Sequence, residues 1–159
     1  MNLLLLPKQV AKHILFFDDP QPNIIMSHSE FYRLICSSRY LTTSGLLVLL
    51  NIDVSSHSIY FNKHRLYFSE EREFNSRAIQ DLIELEEMVL SSFHAVGKQG
   101  VPKLRRQLSN GFIRIYSEDK VIRSGITALS LKISGVWCTN QEYGITFKFV
   151  LLNLNDPKC

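Results

Sequence analysis

The amino-acid sequence predicts a mainly β domain of the α+β class that contains one long helix. Residues 129–137 and 143–151 alternate apolar and polar side chains, the period of half-buried strands. Residues 46–52 form a near-continuous apolar run, typical of a strand buried on both faces. Residues 76–96 repeat apolar side chains at three- and four-residue steps, the period of an amphipathic helix. The length of 159 residues suits one domain with one core.

Proline residues interrupt the first part of the chain. Pro7, Pro20 and Pro22 prevent any long element there. Residues 1–22 are therefore predicted to be an N-terminal extension, and the pattern leaves open whether it is ordered. A single β-rich domain is predicted to follow over residues 23–159.

Short apolar stretches between turn residues predict four strands ahead of the helix. They are residues 24–26, 31–36, 46–52 and 58–62. Ser55 and Ser56 indicate a turn before the last of these. Tyr67 and Phe68 are expected to pair with that strand across a tight turn at 62–64.

The long helix has recognisable ends and two contrasting faces. Asn75 is a plausible N-cap, and Gly97 stands where a C-terminal glycine cap is expected. The apolar stripe consists of Ile79, Leu82, Leu85, Val89, Phe93 and Val96. The carboxylates of the helix, including Glu86, are interpreted as a solvated face rather than a catalytic pair.

The rest of the chain is predicted to be one loop followed by strands. Gly100 and Pro102 indicate a loop over residues 98–106. Strands are expected at 112–116, 129–137 and 143–151, the last two joined as a hairpin through 139–142. Strands, one helix, then strands is the order of a Greek-key barrel with an inserted helix. The OB-fold is the commonest small example; an α+β sandwich is the alternative.

No enzyme motif occurs in the sequence. It lacks a P-loop, GxSxG and GxGxxG, and its five histidines form no metal-ligand spacing. We therefore predict neither catalysis nor a cofactor or metal, with a nuclease of scattered carboxylates as a weaker hypothesis. The cysteines, Cys36, Cys138 and Cys159, are odd in number and fit no zinc motif, which favours a reducing compartment in the nucleus or cytoplasm. The apolar start, MNLLLL, is too short for a membrane span, so no membrane association is expected.

Positive charge is concentrated after the helix. The chain carries a formal net charge of +3, and no acidic residue occurs from Gly97 to Ser117. A basic loop beside a sheet can follow a phosphate backbone. The predicted phosphate contacts are Lys98, Lys103, Arg105 and Arg106.

The strand at 112–116 adds aromatic side chains to this charge. Phe112, Arg114 and Tyr116 alternate with two isoleucines that suit the core. A solvent-facing aromatic–Arg–aromatic row is the composition of a base-stacking platform. Lys132 and Lys148 are predicted to point outward from their strands and to assist. Alternatively, the two aromatics belong to the core, and the lysines are ordinary outward positions.

The C-terminal hairpin resembles that of a known protein family. Its two strands read Lys132-Ile133-Ser134-Gly135-Val136-Trp137 and Tyr143-Gly144-Ile145-Thr146-Phe147-Lys148-Phe149. They resemble the closing hairpin of single-stranded-DNA-binding proteins from large DNA viruses and related mobile elements. The resemblance covers this hairpin alone. It implies an OB-like fold, a role in coating replicating single strands, and DNA near Lys148 and the 112–116 face. Trp137 and Gly144 also suit a purely structural role.

These observations lead to one hypothesis and one alternative. The hypothesis is a non-enzymatic protein that binds single-stranded DNA or RNA by charge and aromatic stacking, with little sequence preference. The alternative is a protein-interaction or scaffold module, such as a viral accessory protein. It would bind another chain, or a second copy of itself, through the acidic helix or the C-terminal strand edge.

Overall fold

The computed structural model describes residues 3–116 and 124–152. These residues form eleven strands and two α-helices, with short 3₁₀ turns at Pro7–Gln9 and Lys12–Ile14. In chain order the elements are β1 (Leu4–Leu5), β2 (Leu15–Phe17), β3 (Gln21–Pro22), β4 (Glu30–Ser37), β5 (Thr42–Ser44), β6 (Leu46–Tyr60), β7 (Lys63–Phe68), α1 (Glu73–Ser92), β8 (Gln99–Gly100), α2 (Lys103–Leu108), β9 (Phe112–Tyr116), β10 (Gly125–Cys138) and β11 (Glu142–Leu151).

Five strands close into a barrel. The order is β6-β7-β9-β11-β10, and β10 returns to pair with β6. All neighbours are antiparallel except β9 and β11, which run parallel. A closed five-stranded barrel with one long helix confirms the predicted mainly β, OB-like class. The long helix is inserted between the second and third barrel strands.

Strand β10 belongs to two layers. Its first part pairs with β6 in the barrel, and its second part pairs with β4, which also pairs with β2, β3 and β5. The register shifts between Ile133 and Gly135, where the strand changes partner. A Cβ at Gly135 would lie 2.1 Å from the carbonyl oxygen of Tyr32, so the two backbones approach closely only because this residue is glycine.

The core lies inside the barrel and beneath α1. Ile79, Leu82, Leu85 and Val89 of the predicted stripe are buried on the helix face that packs against the barrel. Burying each such side chain stabilises the fold by roughly 1.5–3 kcal/mol. Phe93 continues the stripe beyond the helix end, and its ring contacts those of Phe17 and Tyr32. Val96, predicted to complete the stripe, is exposed.

The helix ends differ from the predicted ones. Helix α1 begins at Glu73 and ends at Ser92, and Gly97 lies in the following loop with φ +73°. Asn75 is not the N-cap but a fully buried residue of the first turn. Its amide accepts a hydrogen bond from the Asp53 backbone and donates to the carbonyls of Asp53 and Ser69. Asn75 therefore ties α1 to β6.

Three further segments depart from the prediction. Residues 24–26 form a bend rather than a strand, with Ile24 and Ile25 exposed. β6 runs on to Tyr60, because a bulge at residues 54–56 replaces the expected turn. Residues 98–106 are not a plain loop, since β8 and most of α2 lie there. The N-terminal segment, over residues 3–22, is ordered as β1 to β3 with the two 3₁₀ turns.

Candidate nucleic-acid interface

Strand register places four cations in one row around the barrel. Arg65 of β7 lies directly opposite Arg114 of β9. Ile115 is paired with Phe149, so Arg114 has Lys148 of β11 beside it, and Lys148 is paired with Lys132 of β10. We call this row the cation belt; its members are Arg65, Arg114, Lys148 and Lys132.

The belt faces outward because its neighbours along each strand face inward. His64 and Leu66 are buried on either side of Arg65, and Leu131 and Ile133 on either side of Lys132. Arg65, Arg114 and Lys148 are exposed, and Lys132 is half-buried. Strand alternation thus sends all four charges to the outer surface.

No carboxylate compensates the belt within the described part of the chain. The positions two residues before and after each belt member are Lys63, Tyr67, Phe112, Tyr116, Ser130, Ser134, Thr146 and Val150, and none of them is a carboxylate. None of the ion pairs among the described residues includes a belt member. Like charges directly opposite each other destabilise a sheet by roughly 0.2–1 kcal/mol per pair. A bound polyanion would remove this repulsion.

Aromatic rings lie around the Arg65–Arg114 pair. Both guanidinium groups lie over the Phe112 ring, with their central carbons 5.0 and 5.5 Å from its centroid. The Tyr67 ring is 5.8 Å from that of Phe112. Tyr116, 67% exposed, lies on the other side of the pair. Cation–π attraction offsets part of the repulsion between the two arginines.

The β6–β7 turn extends this aromatic surface. Tyr60 and Phe61 are 73% and 81% exposed, and their rings meet edge to face at 4.7 Å. The backbone of Phe61 has φ +54°, in the left-handed region that residues other than glycine rarely adopt. Tyr60 is paired with Lys63, which is paired with Tyr116. The turn therefore adjoins the end of the β7–β9 face.

The predicted basic loop is arranged differently from the belt. Lys103 lies over the Trp137 ring, its Nζ 4.3 Å from the centroid. Arg105 pairs with Glu87 at 3.5 Å, and the Lys98 ammonium donates a hydrogen bond to Cys138 Sγ at 3.2 Å. Arg106 is exposed and forms no ion pair with any described residue. Three of these four cations thus already contact groups of this chain.

A buried carboxylate positions α2 and its cations. Glu86 is completely buried, not part of a solvated face, and accepts hydrogen bonds from the backbone N–H groups of Leu104 and Arg105 at 2.9 and 2.8 Å. Burial raises the pKa of the Glu86 carboxyl, although the two N–H donors act in the opposite direction. Glu86 therefore supplies the acceptor that the first turn of α2 needs.

Two histidines that are separate in sequence meet in the fold. His57 Nε2 lies 3.1 Å from His64 Nδ1, and the ring planes differ by 7°. With centroids 5.3 Å apart, the rings lie edge to edge in nearly one plane. This is the geometry of an N–H···N hydrogen bond. A metal ion would instead need both nitrogen lone pairs to point towards one position about 2.0–2.1 Å from each nitrogen. Burial, and then the charge of His64, lower the pKa of His57.

Residues 3–116 and 124–152 contain neither a cluster of metal ligands nor a helix that could span a membrane. Within them, no three His, Cys, Asp or Glu side chains are grouped to hold a metal ion. No helix in these ranges has both the length and the apolar character to cross a bilayer. Cys36 and Cys138 are free and buried, and burial raises the pKa of Cys36 to about 11. Cys159 lies outside the described residues.

The hairpin that carries the family resemblance is explained in part by packing. Trp137 is buried, and a Cβ at Gly144 would lie 2.6 Å from its ring. Glycine at 144 therefore makes room for the tryptophan. No protein-family model matches the chain, and neither does any curated protein or solved structure. The resemblance to viral single-stranded-DNA-binding proteins stays a prediction.

Proposed function

We propose that this protein is a non-enzymatic single-stranded nucleic-acid-binding protein that uses the outer face of β7 and β9. The observation that carries the proposal is the opposed Arg65–Arg114 pair, which lies among exposed and half-exposed aromatic rings and has no carboxylate partner among residues 3–116 and 124–152. β7 and β9 are the second and third barrel strands, and OB barrels bind oligonucleotides on that face.

The two residue types on this face suit the two parts of a nucleotide. Arg65, Arg114 and Lys63 offer charged donors to phosphates. Phe112 and Tyr116 offer ring faces to bases, and stacking is worth about 1–3 kcal/mol per base. Rings stack on any base, so little sequence preference is expected. For single strands, each neutralised phosphate adds about 0.7 to the steepness with which the logarithm of the binding constant falls with the logarithm of the salt concentration.

The loop cations receive a smaller role in this proposal than the sequence suggests. Lys98, Lys103 and Arg105 would have to leave Cys138, Trp137 and Glu87 before contacting a phosphate. We expect them to attract the ligand at long range. Arg106 is the member of this group best able to make a direct contact.

The test is fluorescence anisotropy with a labelled single-stranded oligonucleotide at low and high salt, beside a duplex control. Arg114→Glu should weaken binding at least tenfold, because it reverses the central charge of the face. Arg77→Glu is the matched control, since Arg77 is exposed on α1 and the substitution changes net charge equally. If Arg114→Glu binds as tightly as Arg77→Glu, the proposed surface is wrong.

A complete lack of binding at low salt would favour the protein-interaction alternative. In that case α1 is the surface to examine, because Glu84 is exposed on it. The C-terminal strand is a poorer candidate, since β11 lies between β10 on one side and β8 and β9 on the other. The edge that this alternative requires is thus already paired at Glu142, Tyr143 and Phe149.

A further inference from the structure

We propose that the bound single strand continues from the β7–β9 face over β11 and β10 along the cation belt, wrapping the barrel. This inference rests on the proposed function and specifies the path of the ligand. It also specifies the ligand class, a flexible single strand of sufficient length rather than a duplex. The observation behind it is the unbroken register row Arg65, Arg114, Lys148 and Lys132.

The belt is curved because the barrel is closed. Its members occupy four consecutive strands of the five. Neighbouring strands lie about 4.7–4.9 Å apart, so the three steps of the belt cover about 14 Å at the backbone. The outward direction turns at each step around a closed barrel. Arg65 and Lys132, at the two ends of the belt, therefore face different sides of the molecule.

A ligand must bend sharply to contact both ends of this row. Duplex DNA is stiff over about 150 base pairs, so it cannot follow a turn made within a few nucleotides. A straight duplex can approach only neighbouring members, such as Arg65 and Arg114. A single strand has no such stiffness and can contact all four cations. Curvature of the belt, rather than readout of bases, selects the single strand.

The two halves of the path offer different chemistry. Around Arg65 and Arg114 the outward side chains include three aromatic rings. The side chains flanking Lys148 and Lys132 are Ser134, Thr146 and Val150, which are exposed or half-buried, and Ser130, which is buried. None of these four has a ring on which a base could stack. The β11–β10 half is therefore a phosphate track that holds the strand after its bases have left the stacking face.

Binding measured as a function of oligonucleotide length tests this path. Site sizes of OB domains run from about 4 to 16 nucleotides, so oligothymidylates of about 4 and about 14 nucleotides bracket the two halves. The variants are the double substitutions Lys132→Gln with Lys148→Gln, and Arg65→Gln with Arg114→Gln. The control is Lys8→Gln with Lys12→Gln, which removes two exposed charges from the 3₁₀ turns.

The lysine variant should bind the short oligonucleotide like wild type and the long one at least fivefold more weakly. For the long oligonucleotide, the slope of the logarithm of the binding constant against the logarithm of the salt concentration should become shallower by about 1.4, the contribution of two phosphates. The control should change neither affinity. Thermal unfolding checks that each variant is folded.

Other outcomes separate this inference from the proposed function. If the lysine variant binds the long oligonucleotide like wild type while the arginine variant does not, the path is wrong and the β7–β9 site stands. If the lysine variant binds the short and the long oligonucleotide more weakly by the same factor, Lys132 and Lys148 act only at long range, and the wrapping proposal is overturned. If the arginine variant binds both lengths like wild type, the proposed function itself fails.

Discussion

Replacing Lys148 by threonine should make the protein more stable and a weaker ligand binder at once. Lys148 lies between Arg114 and Lys132 in the cation belt, so the substitution removes two like-charge contacts. Each contact costs roughly 0.2–1 kcal/mol, and threonine is well suited to a strand. We expect the free energy of unfolding to rise by about 0.5–1.5 kcal/mol. For a chain of this size, that corresponds to an increase in Tm of about 2–5 °C.

Thermal unfolding followed by circular dichroism measures this gain. It should be largest at low salt and shrink near 1 M salt, where the Debye length is only about 3 Å. Lys12→Thr is the control, because Lys12 is exposed on a 3₁₀ turn and carries the same charge. A Lys148→Thr protein that gains no stability over Lys12→Thr at low salt would refute the reasoning. So would a gain that is unchanged at high salt.

Three further predictions concern Glu86, His57 and Gly135. Glu86→Ala should lower the free energy of unfolding by about 2–4 kcal/mol in urea titrations, since two α2 amides lose their acceptor; Glu84→Ala, on the exposed face, should change it little. Because the pKa of His57 is lowered in the folded protein, the unfolded chain binds a proton at this imidazole at a higher pH than the folded chain does. The free energy of unfolding should therefore fall as the pH drops through 6.5 towards the folded-state pKa. His57→Phe should flatten that decline in pH-dependent unfolding; an unchanged curve would contradict the assignment. Gly135→Ala should destabilise the protein by about 1–3 kcal/mol, because its Cβ meets a backbone oxygen. Gly100→Ala, where only the end of the Tyr143 side chain must move, should cost clearly less.

The sequence predicted best what depends on local alternation. In β9 the isoleucines are buried, Arg114 and Tyr116 are exposed, and Phe112 is half-buried, as the period of two indicates. The apolar stripe on α1 was also predicted correctly at four positions, because Ile79, Leu82, Leu85 and Val89 repeat with the helical period. The OB-like class followed from the order of these elements. Each of these predictions needed only residues that are near one another in the chain.

The belt and the buried polar groups could not be read from local patterns. The sequence prediction placed a strand only at Tyr67 and Phe68, although the alternation of residues 63–68 would have pointed Lys63 and Arg65 outward. That Arg65 faces Arg114 depends on strand register, which no local pattern contains. The polar partners of Glu86 and Asn75 lie on other elements. The sequence does not show that Glu86 accepts hydrogen bonds from the first turn of α2, so Gly100 and Pro102 predicted a loop there.

The closure of the barrel also bears on how fast the protein folds. The β10–β11 hairpin joins near neighbours in the chain, whereas β10 closes the barrel by pairing Leu46 with Ile133 and Val54 with Gly125. Contacts between such distant segments slow folding, because a large loop must be ordered before they form. The hairpins are therefore expected to form early and the β6–β10 seam late. The belt spans β7, β9, β11 and β10 without crossing this seam, so its like charges oppose the pairings β7–β9, β9–β11 and β11–β10, and the seam can open while the belt stays intact.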